Sequence, residues 1–258
     1  MAGRIHQTAI VAAGAQLGEE VEVAPYAIIE DNVTIGDNCR IGPHTLVAWG
    51  ARLGQGVAVH KGAVVGSIPQ DLKFAGEEST LEVGDNTIIR EYATLNRGTV
   101  DRHRTTVGHN CLLMAYSHIA HDCIIGNHVI LANSVNLAGH IEIGDHAIIG
   151  GVVPVHQFVK IGAHAMIGGG FRVPMDIVPY AMCGGYPLQV MGLNRVGLKR
   201  RGFSPDVIKT LEQVFRLLFK SKMNTAQAVA RIREEIEMID EVRLILDFIE
   251  SSERGICK

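Results

Sequence analysis

Along most of this chain every sixth residue is aliphatic. From Ile5 the series runs Val11, Leu17, Val23, Ile29, Ile35, Ile41, Val47, Leu53, Val59 and Val65, and it breaks at Asp71 and Glu77. It resumes at Val83, Ile89 and Leu95, breaks at Asp101, then continues without a gap from Val107 to Val173. A helix repeats its apolar face every ~3.6 residues and a simple strand every second residue, so a period of six fits neither alone. It is the signature of a parallel β-helix, in which each hexapeptide supplies one short strand and one corner. Three such units close a triangular coil, and coils stack ~4.8 Å apart with their aliphatic positions inside. Two residues before each aliphatic position stands a smaller one (Ala9, Ala15, Ala27, Val33, Cys39, Ala51), as a narrow corner requires. Glycine often follows the aliphatic residue, as in Ile35-Gly36 and Ile161-Gly162, where its freedom of backbone angle is expected to matter. The repeats amount to about nine coils, or roughly 40 Å of prism.

The two breaks have no packing purpose in a solenoid. The first contains Gln70-Asp71-Leu72-Lys73-Phe74-Ala75-Gly76-Glu77 and the second Asp101-Arg102-His103-Arg104, which places charged excursions near 71–82 and 101–106. Unpaired charge is costly to bury, so both must leave the prism, and loops on a rigid scaffold commonly carry function. Beyond Val173, Pro174, Pro179, Gly184, Gly185 and Pro187 read as an irregular linker. Ser204-Pro205-Asp206 then reads as a helix start, followed by Val207, Ile208, Leu211, Val214, Phe215, Leu218 and Phe219 at helical spacing. A second helix is expected from Asn224-Thr225 to about Met238 and a third over Asp240 to Ser252. The reading is mainly β, a parallel β-helix over 1–190 with a C-terminal α-helical domain over 191–258 that covers one open end.

Composition narrows the function. The chain has 258 residues and a net charge of −3, with 24 Lys and Arg against 27 Asp and Glu, which argues against general nucleic-acid binding. No apolar stretch approaches the ~20 residues of a membrane span, so no transmembrane segment is expected. The start of the chain lacks the apolar core of a signal peptide, and five scattered cysteines fit a reducing compartment, so the expected location is cytoplasmic. Cys39, Cys111 and Cys123 occupy the small-residue phase and read as packing residues. The densest basic cluster, Lys199-Arg200-Arg201, suits phosphate groups or an acidic protein partner, or simply a solvated helix start. No GxxxxGK[ST] or GxGxxG motif is present, so no nucleotide cofactor is expected by those routes.

Most of the twelve histidines have a bland reading. His44, His128, His140, His146 and His164 share the turn phase of the repeat. His118 and His121 do not. They flank inward Ile119, and Asp122 follows His121 as a partner able to orient its ring. One coil on from His121 stands Gly139, and one further Gln157, so a side-chain-free backbone should stack over the imidazole. A base and an N–H at that separation could bracket a carbonyl carbon, the base removing a hydroxyl proton while the N–H stabilises the oxyanion. The gamma carbonic anhydrases bind zinc on this scaffold through three histidines, but the spacing of His118 and His121 differs from theirs and no metal is expected. A non-catalytic solenoid would need neither the off-phase histidines nor the first excursion.

Taken in order, QDLKFAG, LNRGTV, HIAHDCIIGN, LANSVNLAGH, VHQFVKIGAH and GLKRRGFS resemble the UDP-N-acetylglucosamine O-acyltransferase family of lipid A synthesis over essentially the whole chain. The resemblance implies a homotrimer of left-handed β-helices with active sites between subunits. It implies transfer of a 3-hydroxyacyl group from acyl carrier protein to the glucosamine 3-hydroxyl of UDP-N-acetylglucosamine, without a cofactor. His121 matches the family's general base, Asp122 its partner and Gly139 the oxyanion donor. Asp71 and Lys73 match sugar-nucleotide contacts, with Gln70 beside them. His118, His140 and Gln157 match residues lining the cleft, and His156 a further histidine there. Asn194 and Arg201 match contacts to the nucleotide end, and Arg200 sits in the carrier-protein surface. Gly169 matches the hydrocarbon-ruler position, where Gly168-Gly169-Gly170 leaves room for a long acyl chain. Two residues depart from the family pattern: Asn96 stands where many members have histidine, and Val196 where many have glutamate. These departures leave a 3-amino acceptor open beside the 3-hydroxyl. The rival reading is a related hexapeptide enzyme, either a coenzyme-A-dependent acetyltransferase or the N-acyltransferase of the same pathway, which normally carries a uridine-binding domain ahead of the repeats.

Overall fold

The computed structural model describes residues 4–258. Three parallel sheets, two of eight strands and one of ten, form the faces of a triangular prism. Most strands are two residues long, and each pairs with the strand one coil before and one coil after, as in His118↔Asn136 and Ile119↔Leu137. The second residue of each pair points inward, so Ile29, Ile89, Leu113, Ile119, Leu131, Leu137 and Ile149 are fully buried in one continuous core.

The corners obey two different constraints. Three residues past each inward aliphatic position the backbone is left-handed, with φ between 56° and 63° at Asn38, His44, His128, His140, His146, Phe158 and His164. Asn, Asp and His tolerate that region best, which explains the phase the histidines share. Their rings then stack from coil to coil, His128 on His146 at 4.5 Å, His146 on His164 at 4.8 Å and His164 on Tyr180 at 5.5 Å. The glycine directly after the aliphatic residue has a different cause from the one the sequence suggests. Gly36 is not left-handed; a Cβ there would meet backbone atoms of Gly54 and Gln55 at 2.7–2.9 Å. At Gly36 close approach of stacked coils, and not backbone angle, selects glycine; Gly66, which follows Val65 at the root of the first excursion with φ 90°, is the exception. All five cysteines are free and buried, and burial pushes the Cys123 thiol up to about 12, so these are inert packing groups.

The excursions lie earlier in the chain than the hydrophobic pattern suggests, over 68–79 and 97–103. The strands resume at Thr80 and Arg104, ahead of positions 82 and 106, because Leu81 and Thr105 are fully buried and pair with one another across adjacent coils. The stretch expected to be an irregular linker contains an antiparallel hairpin, Ala181–Gly184 with Gln189–Leu193, which extends the ten-stranded sheet past position 190. Gly185 and Pro187 form the hairpin loop and Gly184 ends its first strand, while Ala181 and Cys183 face the core. A short helix α1 (Arg195–Arg200) follows, which the sequence reading does not contain. Then α2 (Pro205–Phe219) starts where expected, with Ser204 Oγ accepting the Val207 N–H at 3.2 Å. Helix α3 (Thr225–Glu235) stops short of Met238 because Ile236 turns extended, and α4 (Asp240–Glu250) completes the domain. The tail is pinned to the prism by buried Asp176, whose carboxylate accepts the Lys160 N–H at 2.8 Å and the Ser252 hydroxyl at 2.6 Å. No helix among the described residues is long and apolar enough to cross a membrane.

The stacked histidines predict a pH-dependent stability. Burial, then the neighbouring His146 and Arg201, lowers the His164 pKa from 6.5 to about 4. The unfolded imidazole therefore takes up a proton that the folded one refuses, and stability falls as pH drops from about 6.5 towards 4. His164→Phe, which keeps a ring in a turn phase that Phe158 already occupies, should lose less of its unfolding midpoint between pH 7 and pH 5 than the parent. Parallel slopes for the two proteins would contradict this account.

Candidate active site

The coil geometry builds the site from one hexapeptide. Ile119 and Cys123 are both buried and fix the two sides of a corner, which leaves His118 on the outer face and His121-Asp122 at the bend. Asp122 takes the left-handed position with φ 59°, turning its carboxylate back against the prism, where it is fully buried. Oδ2 lies 2.8 Å from His121 Nδ1 and accepts the Thr99 hydroxyl at 2.6 Å. Oδ1 accepts the backbone N–H groups of Thr99 at 3.0 Å and Arg102 at 3.2 Å. Burial alone would raise the Asp122 pKa, but the bonds from Thr99 and His121 outweigh it, so the group is held below the usual carboxylate range. With an anionic partner, His121 carries its proton on Nδ1 and presents Nε2 as the basic lone pair.

Gly139 lies where one coil of arithmetic puts it. A Cβ on Gly139 would sit 2.6 Å from Cε1 and 2.8 Å from Nε2 of His121, so the imidazole occupies the space the missing side chain leaves. No hydrogen bond from the Gly139 N–H is made among the described residues. His140 closes the group. Its ring meets that of His121 edge-on, with centroids 5.1 Å apart, and stacks on Phe158 at 4.5 Å. Burial first, and the neighbouring His121 among the lesser causes, lowers the His140 pKa. His118 hydrogen-bonds Thr94 Oγ1 through Nδ1 at 2.8 Å and is likewise lowered by burial.

Position on the prism sorts the remaining residues. The corner between the first and second sheets carries His121, Asp122, Gly139, His140, His156 and Gln157, and both excursions leave from it, the first bearing Gln70, Asp71 and Lys73. Within the first loop Asp71 Oδ1 accepts the Lys73 N–H at 2.9 Å. Asn194 and Arg201 belong to the next corner. Asn194 is buried, capping α1 through the Gly197 N–H and donating to the His164 carbonyl at 2.9 Å. Arg201 Nη2 donates to the His146 carbonyl at 2.9 Å. Both perform structural tasks within this chain, while Arg200 is exposed on α1. Gly169 stands at the third corner in a patch with Gly150, Gly151, Gly168 and Gly170. Asn96, one of the departures, is buried and donates to Ser67 Oγ and the Ile68 carbonyl, both at 2.8 Å, tying down the root of the first excursion. Val196, the other, is exposed.

His121, Asp122 and His140 could also meet on a metal ion, with ligand atoms within 4.8 Å of one another. Asp122 Oδ2 is already engaged by His121 and Thr99, and coordination would break both contacts. The donor set therefore fits a hydrogen-bonded pair better than a metal centre.

Comparison with known proteins agrees along the whole chain. The family described as UDP N-acetylglucosamine O-acyltransferase, domain 2, matches residues 176–257, and the bacterial transferase hexapeptide repeat matches 4–48 and 104–139. An acyl-[acyl-carrier-protein]–UDP-N-acetylglucosamine O-acyltransferase of Trichlorobacter lovleyi is 51% identical over 98% of this chain and 99% of its own. The chain belongs to this family of acyltransferases. The solved LpxA, a UDP-N-acetylglucosamine acyltransferase from Bacteroides fragilis, is 46% identical and superposes with a TM-score of 0.98 over 99% of this chain and all of the other. LpxA from Acinetobacter baumannii is 43% identical with a TM-score of 0.96, covering 98% of this chain and 99% of its own. The coil is left-handed, as in these acyltransferases.

Sequence reasoning missed Thr99, Arg102, Thr94 and Phe158. Thr99 lies in the LNRGTV stretch that helped reveal the family, and Arg102 in the second excursion, but no spacing rule links either to Asp122, which lies 20 or more residues downstream. The site geometry makes Gly139→Ala a sharp test. The new methyl must displace the imidazole, so transfer activity should fall at least tenfold while the melting temperature stays within a few degrees. Unchanged turnover would mean that the ring does not use this space.

Proposed function

We propose that this protein transfers a 3-hydroxyacyl group from acyl carrier protein to the glucosamine 3-hydroxyl of UDP-N-acetylglucosamine, the first step of lipid A synthesis, in the cytoplasm. The observation that carries the reading is the His121 ring held by Asp122 at 2.8 Å and seated over bare Gly139. In this scheme His121 Nε2 removes the sugar hydroxyl proton as the oxygen attacks the thioester carbonyl. The Gly139 N–H receives the developing oxyanion. Collapse of the tetrahedral intermediate breaks the C–S bond, and the proton on His121 passes to the departing thiolate. Acyl transfer is direct, with no covalent acyl-enzyme. Every cysteine is buried, and burial raises the thiols of Cys39, Cys111, Cys123, Cys183 and Cys257, so none is placed to act as a nucleophile.

The proposed assembly is a homotrimer with its sites between subunits. Support comes from the separation of the matching residues onto three corners of one prism, so that a cleft using all of them draws on more than one copy. His118, His140, His156 and Gln157 would line the cleft, with Gln70, Asp71 and Lys73 reaching it from the projecting loop. Arg200 would face the acidic carrier protein. Gly169 would leave the acyl groove open for a long chain.

General-base assistance is typically worth ~10²–10⁴ in rate, so His121→Ala should lose at least a hundredfold in transfer from 3-hydroxyacyl carrier protein while remaining folded. Near-normal turnover would remove its role. Gly169→Met should shift the preferred donor to a shorter chain in a competition among acyl carrier proteins of several lengths, and an unmoved preference would exclude the ruler.

A further inference from the structure

The second excursion projects from the corner that carries His121, and through Thr99 and Arg102 it reaches the Asp122 carboxylate. Its backbone is anchored at both ends, by Gly98 N–H to the Thr80 carbonyl at 3.2 Å and by His103 N–H to the Thr99 carbonyl at 2.7 Å. Between these anchors Thr99 is buried against Asp122. The Asp122 carboxylate has two imidazoles near Oδ2, His121 Nδ1 at 2.8 Å and His140 Nε2 at 3.9 Å. A carboxylate free to turn could serve either. The Thr99 hydroxyl, 2.6 Å from Oδ2, and the Thr99 N–H, 3.0 Å from Oδ1, hold it in one orientation. The Asp101 N–H donates to Thr99 Oγ1 at 3.3 Å, and this occupies one lone pair and directs the hydroxyl proton at Asp122.

We propose that Thr99 is a positioning residue for acyl transfer, fixing Asp122 so that its Oδ2 holds His121 in the Nδ1-protonated form rather than turning to His140. The inference rests on the reading of His121 as the base. Thr99 is buried and its hydroxyl is committed to Asp122. It acts through Asp122, to whose carboxylate the 97–103 loop brings three donors, two from Thr99 and the Arg102 N–H.

The test compares Thr99→Val, which keeps the shape and removes the hydroxyl, with Thr99→Ser, which keeps the hydroxyl, using 3-hydroxyacyl carrier protein and UDP-N-acetylglucosamine as substrates. A hydrogen bond to a charged group is worth enough that Thr99→Val should lower kcat on the order of tenfold, with KM for the sugar nucleotide within about twofold of the parent. Thr99→Ser should restore most of kcat. In ring-¹⁵N-labelled protein, Thr99→Val should also erode the Nδ1–H tautomer signature of His121. Parental kcat in a folded Thr99→Val, an equal loss in both variants, or an unaltered tautomer would each overturn the inference. His121→Ala is run alongside: if it retains activity, the base assignment itself fails, whereas an inactive His121→Ala beside a fully active Thr99→Val refutes only the role of Thr99.

Discussion

One constraint governs this molecule: strands two residues long must find their hydrogen-bond partners a whole coil away. A two-residue strand has almost no stability of its own, and its neighbours along the chain lie on other faces. Register is therefore set by the column of inward aliphatic side chains, since a slip of one residue would point every one of them outward. The column also fixes the exterior. Once Ile119 and Leu137 are stacked, the corners beyond them are stacked too, and whatever stands two residues after each is brought into contact. His121 and Gly139 meet for the same reason that Ile119 and Leu137 do.

A rigid corner is a good place to keep a buried charge. Removing an ion from water costs several kcal/mol unless hydrogen bonds replace the lost hydration. Asp122 receives four such bonds, from the Thr99 amide and hydroxyl, the Arg102 amide and His121. The carboxylate stays charged because fixed donors surround it. Arg102 also donates through its side chain to the Asp122 carbonyl at 3.2 Å and to Glu142, which ties the excursion to the next coil. The interruption of the repeat thus supplies donors to Asp122 where the strand N–H groups of the repeat are committed to neighbouring coils, as His118 N–H is to the Val135 carbonyl.

These facts explain what could be read before the structure. The core, the faces and the His121–Gly139 contact follow from counting, because a solenoid converts sequence separation directly into distance. Contacts that leave the lattice do not. The bond from Thr99 to Asp122 spans 23 residues, with three strands and their corners between, and no periodicity encodes it. The hairpin over 181–193 is hidden because Gly184, Gly185 and Pro187 dominate the local composition although they mark only its turn and the end of one strand. Glycine after the aliphatic residue was anticipated for the wrong reason, since backbone angle is a local property and interchain-like crowding between coils is not. The hand of the coil is not legible in the period either, because a left-handed and a right-handed prism would bury the same residues. It is an exception to the usual right-handed crossover.

The three corners divide the labour. One carries the His121 cluster and both excursions. The next carries the ring ladder of His128, His146 and His164, against which Asn194 and Arg201 are fastened. The third is stripped to glycine around Gly169. A prism cannot fold one corner onto another, so residues on separate corners of one protomer never share a cleft. Copies arranged about a threefold axis remove that obstacle, because each presents a different corner to its neighbour. Bringing residues from separate corners into one reaction would therefore take more than one copy, which is the geometric support for the proposed trimer.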